Sequence, residues 1–186
     1  MKISLGQINI KSGEIETNSR KLTDFISQAK ESGSDLIIFP EMCDTGYDMP
    51  VIIEKATSWE TGIVPLLREA CSKLNINVIA GVSKRTESGI YNAVATINRE
   101  GEIINEYFKT HLITAEPMLE HEYLKAGNKL GLVEVEGIKI GIMTCYEIRF
   151  QEISRTLALK GAKIIVITFA WTLVRLTHWQ NLVMAR

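Results

Sequence analysis

Cysteine, histidine and proline are all scarce in this chain: 186 residues hold three, three and four of them. Cys43, Cys71 and Cys145 are an odd number at wide, unpatterned spacing, which excludes a disulfide framework and a four-ligand zinc site. The histidines show no metal-ligand spacing. Charge of one sign is lacking too. A formal net charge of -1, with lysines and arginines scattered, leaves no basic field and excludes a nucleic-acid partner. No apolar run is long enough to span a bilayer, and the opening Met-Lys-Ile-Ser-Leu-Gly-Gln-Ile-Asn-Ile lacks the long apolar region of a signal peptide. No membrane partner is expected, and a cytoplasmic location with reduced thiols follows. Repeats, low-complexity segments and linkers are missing as well, so residues 1–186 read as one domain.

What is present is 46% hydrophobic residues, ordinary for a globular chain, in alternating strand-like and helix-like periods. The pattern predicts a strand over Ile3 to Ile10, a helix from Thr17 to Ser32 and a short strand Asp35 to Phe39. A helix over Gly62 to Leu74 and a strand Asn77 to Val82 come next. A hairpin then pairs Tyr91 to Asn98 with Ile103 to Phe108. A second hairpin turns at Glu136-Gly137 into a strand that ends at Cys145. A helix from Phe150 to Lys160 and a buried strand Ala162 to Phe169 follow, and an amphipathic helix opens near His178. This is an α/β chain. Its first helix places Leu22, Phe25, Ile26 and Ala29 on one face, with Gly33 where a C-terminal cap belongs.

Cys145 stands at the strand-to-helix elbow of Gly141-Ile-Met-Thr-Cys145-Tyr-Glu-Ile-Arg-Phe150. An elbow presents a side chain at the carboxyl end of a sheet, where the first amides of the next turn can donate to an anion. A thiol there needs a group to take its proton and a group to stabilise the charge it creates. Glu41 follows the apolar run Leu36 to Pro40; a carboxylate at the end of such a strand is easily desolvated, which raises its pKa and makes it a competent general base. Lys109 closes the first hairpin in Tyr107-Phe-Lys-Thr-His-Leu112. Taken singly, each has a plain structural reading: a packed thiol, a loop acid, a surface lysine.

Taken together, Phe39-Pro-Glu41, Tyr107-Phe-Lys109-Thr-His-Leu112 and Cys145-Tyr-Glu-Ile-Arg-Phe-Gln-Glu152 stand in the order and spacing of the nitrilase superfamily of carbon-nitrogen hydrolases, which the chain resembles along its whole length. Gln7, Gly46-Tyr47, Asn92, the seven-residue interval from Glu120 to Gly127, and His178-Trp179 add to the resemblance. It implies a four-layer αββα sandwich and a Glu-Lys-Cys triad of Glu41, Lys109 and Cys145. Glu41 would take the thiol proton, and Lys109 with the backbone amide of Tyr146 would stabilise the oxyanion. A second acid in the family supports the lysine; Glu120 matches it by its interval to Gly127, with Glu122 as the alternative. Tyr47 and Arg149 fall at the substrate site, Arg149 either binding a substrate carboxylate or tying down the elbow through a salt bridge. Cys43 is expected to line the pocket, Cys71 to lie in the core, and the Trp171 and Trp179 region to cover the pocket or a subunit contact.

Departures are mild at the elbow, where Glu147, Ile148 and Gln151 replace the family's usual Asp, Leu and Pro, and Phe108 stands where an arginine is common. Members of the family generally run longer, so the sandwich is expected to be incomplete at its C-terminus. The resemblance also implies a homodimer or higher homo-oligomer, a small-molecule amide substrate, and chemistry that needs no metal or organic cofactor. Two readings therefore stand: an amidase of the ω-amidase-like branch acting on small linear amides through a thioester, or a non-catalytic truncated fragment. Within the first, N-carbamoyl amidohydrolase and nitrilase share the same triad.

Overall fold

Successive side chains of a strand go to opposite faces of its sheet, and here both faces are apolar, so each sheet needs cover on two sides. The computed structural model describes residues 1–171 and 175–183. Five strands, β1 (Ile3–Leu5), β2 (Leu36–Ile38), β3 (Asn77–Thr86), β4 (Gly89–Ile97) and β5 (Ile103–Phe108), lie in that spatial order, the first three parallel and the last three antiparallel. A second sheet holds β6 (Gly131–Val135), β7 (Ile138–Thr144) and β8 (Ile164–Thr168), with β7 antiparallel to β6 and parallel to β8.

The two sheets face each other through Leu36, Ile79, Val94 and Tyr107 on one side and Val133, Val135, Ile140, Ile142 and Val166 on the other. Alternation sends Ile37, Val78, Ala80, Ala93 and Ala95 the opposite way, under the helices α1 (Ile15–Glu31) and α3 (Val64–Leu74). On the outer side of the second sheet Met143 meets Ile153 and Leu157 of α5 (Gln151–Leu159). The result is the four-layer αββα sandwich. Helix α1 buries Leu22 and Ile26 completely, each worth about 1.5–3 kcal/mol of apolar transfer. Gly33 takes the left-handed conformation, φ 77°, just past the helix end.

Several elements depart from the expectations above. Strand β1 stops at Leu5 because Gly6 lies against Phe39, whose ring would be 2.5 Å from an added Cβ, and residues 7 to 10 turn away to line a cavity. Helix α2 (Met49–Lys55) was not expected; its signal is Asp48, which caps the helix by accepting from Val51 N at 3.4 Å, with Pro50 in the first turn. Strand β3 runs on to Thr86 and pairs with β4 along its whole length, turning at residues 87–88. Two short helices complete the chain: α4 (Glu120–Tyr123), and α6 (Leu176–His178), which passes into a π-helical turn Trp179–Val183. The last three residues of the amphipathic helix expected from His178 onward lie outside the described residues. No helix among the described residues is long and apolar enough to cross a membrane.

Candidate active site

Glu41 and Lys109 follow strands β2 and β5, Glu120 opens the short helix α4, and Cys145 opens the turn after β7. Phe39 N bonds Ile79 O at 2.8 Å, extending the β2–β3 ladder, and Cys43 N returns to Gly81 O at 2.7 Å. Between them the chain reverses at Met42, whose φ of 49° is left-handed. Gly81 makes the reversal possible: a Cβ there would lie 2.6 Å from Glu41 Cα. The loop is pinned further by the buried Asp44 carboxylate, which accepts from Ser83 Oγ at 2.6 Å and from Ser83 N. Glu41 is thus buried at 2% exposure on a fixed backbone.

Lys109 follows β5, its amide donating to Asn92 O at 2.9 Å and its carbonyl accepting from Gly127 N at 2.8 Å. Gly127 approaches so closely that an added Cβ would lie 2.1 Å from Phe108 O. The interval from Glu120 to Gly127 therefore has a physical basis: both ends clasp the segment that carries the lysine. The ammonium, fully buried, lies 3.2 Å from Glu41 Oε1 and 2.9 and 2.8 Å from the two oxygens of Glu120. Asn92 Nδ2 donates to both carboxylates, at 2.7 Å to Glu41 and 3.1 Å to Glu120. The remaining oxygens accept backbone amides, Ala170 N on Glu41 and Ile113 N on Glu120, each at 2.8 Å.

Two carboxylates and one ammonium in a dry site favour uptake of one further proton. Burial raises the Glu41 pKa above the ordinary carboxylate range, Lys109 opposing and Glu120 adding to the effect. Burial would lower Lys109, but the two carboxylates outweigh it and hold the ammonium charged. Cys145, 8% exposed, is pushed up by burial and by Glu41, with Lys109 acting against them, so its resting form is the thiol. Its backbone has φ 43°, unusual for a residue with a Cβ, at the first position of a 3₁₀ turn Cys145–Arg149 that precedes α5.

The structure brings Glu41, Lys109 and Glu120 into contact and leaves Glu122 exposed. The Tyr47 hydroxyl is buried near Glu120 without meeting it in hydrogen-bond geometry, and burial with the charges of Glu41 and Glu120 raises its pKa. Arg149 stacks over Tyr146 at 5.1 Å and Trp171 at 5.7 Å, and has no ion pair among the described residues; the salt-bridge alternative for it does not hold there. Cys43 does not line the pocket as expected: fully buried under α1 and α3, it packs in the core, where the reversal at the left-handed Met42 directs it. Cys71 packs in the same core, its pKa raised to about 12 by burial. Missed by the sequence reasoning were the Ala170 amide on Glu41, which no motif signals, the bridging role of Asn92, and the many bonds of Glu147.

Cys145 opens onto a narrow cleft of about 30 Å³ with Ile113, Met118, Tyr146, Arg149, Ala170, Trp171 and Arg175. A larger cavity of about 740 Å³ borders Glu41 and Tyr47 and shares Ala170 and Trp171 with the cleft; the smaller space is the one that touches the thiol. Trp179 lines the larger one, in edge contact with Trp171 and Phe169. No group of three or more His, Cys, Asp or Glu among the described residues is arranged to hold a metal.

The fold agrees with comparison to known proteins: the chain belongs to the carbon-nitrogen hydrolase family, whose profile matches residues 2–186, within the nitrilase superfamily. It is 36% identical over 185 residues to 2-oxoglutaramate amidase of Bacillus subtilis, covering 99% of this chain and 70% of that protein. It is 31% identical over 192 residues to deaminated glutathione amidase of Escherichia coli O157:H7, covering 100% and 72%. Among solved structures, Nit3 of Saccharomyces cerevisiae, a member of branch 10 of the nitrilase superfamily, superposes with a TM-score of 0.88 at 24% identity, covering 100% of this chain and 70% of that one.

The approach of Gly81 to Glu41 yields a stability test. Gly81→Ala forces the Glu41 backbone outward and is expected to destabilise by about 1–3 kcal/mol, the range for overpacking. The loss is read as a lower urea midpoint at unchanged slope.

Proposed function

We propose that the chain hydrolyses a non-peptide carbon-nitrogen bond in a small linear amide through a thioester on Cys145, releasing ammonia. One observation carries this reading: a fully buried lysine clamped by two carboxylates beside a thiol on a strained elbow. Structural ion pairs seldom gather next to a nucleophile in a cleft, whereas active sites arrange like charges and burial in this way.

Glu41 takes the Cys145 proton as sulfur attacks the carbonyl carbon, so a neutral resting thiol is converted to a nucleophile only when substrate is present. The carbonyl π electrons move to oxygen, and the resulting oxyanion lies between the Lys109 ammonium and the amide of Tyr146, which in the first turn of a helix has no intrahelical acceptor. Collapse of the intermediate breaks the carbon-nitrogen bond, and the nitrogen leaves with the proton from Glu41 as ammonia. Water then attacks the thioester, giving its proton to Glu41; carbon-sulfur cleavage yields the acid and restores the thiol. Glu120 keeps Lys109 charged and aimed. Arg149, with Arg175 in the same cleft, suits a substrate carrying a carboxylate at its far end, and Tyr47 a polar group entering from the Glu41 side. The similarity to 2-oxoglutaramate amidase supports an ω-amide of a dicarboxylate. A cytoplasmic location and a homo-oligomer accord with the same reading.

Ammonia release from a panel of short ω-amides tests this directly. Cys145→Ala is expected to abolish release at unchanged circular dichroism; a folded wild type silent on amides, nitriles and carbamoyl compounds would refute the proposal. Because Glu41 must be ionised to accept the proton and its pKa is raised, kcat/KM is expected to fall on the acid side with a midpoint above the ordinary carboxylate value of about 4.3, and Glu41→Gln to remove the acid limb along with activity. Arg149→Met is expected to raise KM for carboxylate-bearing amides about 10- to 100-fold, the worth of a charge-assisted pair, and to leave neutral amides near their original KM.

A further inference from the structure

We propose that Glu147 is a positioning residue that sets the placement of Cys145 relative to Lys109; the inference rests on the thioester reading above. Its carboxylate is fully buried and touches the chain neighbour of each partner. On the nucleophile's side it accepts Thr144 N at 2.7 Å, and the Thr144 side chain in turn receives the Glu147 amide, closing a capping box around the elbow. On the lysine's side it accepts Thr110 N at 2.8 Å, Thr110 Oγ1 at 2.6 Å, His111 N at 3.2 Å and, from the β5 residue two before Lys109, Tyr107 Oη at 2.6 and 2.7 Å. One side chain therefore fastens β5 and its following loop, from the first sheet, to the β7 elbow of the second.

Neutral donors do this work. No lysine or arginine pairs with Glu147 among the described residues; the nearest cation-forming group is His111 Nδ1 at 3.9 Å, on a half-exposed ring tilted against Phe150. A carboxylate with about four lone-pair positions is thus filled by N–H and O–H groups drawn from both halves of the site. Such saturation fixes geometry more than it supplies stability, since every donor would also be satisfied by water in the unfolded chain. The same turn holds Cys145 at φ 43°, a conformation that persists only where its surroundings over-determine it. The length of the glutamate side chain lets one carboxylate reach Tyr107 and Thr110 while still capping its own turn, so shortening it by a methylene breaks one side or the other.

The test uses the full chain and three variants. Tyr107→Phe and Thr110→Val remove donors on the lysine side and leave the elbow cap, Cys145, Lys109 and Glu41 in place; Glu147→Asp shortens the hub. Each is assayed for kcat and KM on a short ω-amide and for the pH dependence of Cys145 alkylation by iodoacetamide, with the melting temperature alongside. The charged groups acting on the thiol are Glu41, Glu120 and Lys109, and Arg149 and Arg175 line the same cleft. The variants leave both arginines in place, and loosening Lys109 weakens the buried cation that favours thiolate, so the alkylation midpoint is expected to move to higher pH. Kcat is expected to fall about 10- to 100-fold at nearly constant KM, the penalty for misplacing reacting groups by up to an ångström. Variants that melt earlier but keep kcat and the alkylation midpoint would overturn the proposal, leaving Glu147 a stability element. If wild type releases no ammonia, or Cys145→Ala still does, the amidase reading fails, and the alkylation midpoints alone then decide the role of Glu147.

Discussion

The constraint on which the rest of the structure depends is the burial of the Lys109 ammonium. An uncompensated charge in a dry interior is so costly that the fold must deliver both carboxylates, and breaking such a cluster by removing one member costs about 3–5 kcal/mol. Glu41 and Lys109 are 68 positions apart in the chain, and Ala170, which holds Glu41 from the second sheet, is 129 positions from it. The cluster therefore exists only when β2, β5 and β8 are all in place. Satisfying the lysine and assembling the site are one event.

Much of the fold was legible because the signals are local. Alternation of apolar residues marked β7, unbroken apolar runs marked β2 and β8, the hairpin pattern marked β5, the 3.6-residue period of Leu22, Ile26 and Ala29 marked α1, and Glu136-Gly137 marked the β6–β7 turn. What escaped depends on contacts between distant segments. Residues 7 to 10 keep a strand-like alternation yet leave the sheet, since whether Gly6 can pass Phe39 is not written in its neighbours. The long β3–β4 pairing was hidden because Lys84, Arg85 and Thr86 are polar enough to read as loop.

At the site, the motif order pointed to Glu41, Lys109 and Cys145, and the interval to Gly127 favoured Glu120 over Glu122, which stands two residues away in the same short helix. Burial separates them: Glu120, just after the left-handed Leu119, turns inward onto Lys109 and the Ile113 amide. Glu147 was read only as a mild replacement for aspartate. Its importance comes from Tyr107 and Thr110, 40 and 37 residues earlier, and a one-dimensional motif has no place for such partners.

The aromatic cluster at the mouth gives the protein an internal optical reporter. Trp171 and Trp179 stand 5.6 Å apart, each in edge contact with Phe169, and Trp171 Nε1 donates to Arg175 O at 3.0 Å. Trp171 borders both the thiol cleft and the larger cavity. The third tryptophan, Trp59, is 2% exposed in the core beneath Lys84, so its emission is shielded from the solvent. Two of three indoles are thus partly wet, one of them bordering the thiol cleft and the other packed against it, and intrinsic fluorescence will follow occupancy of the cleft without any attached dye.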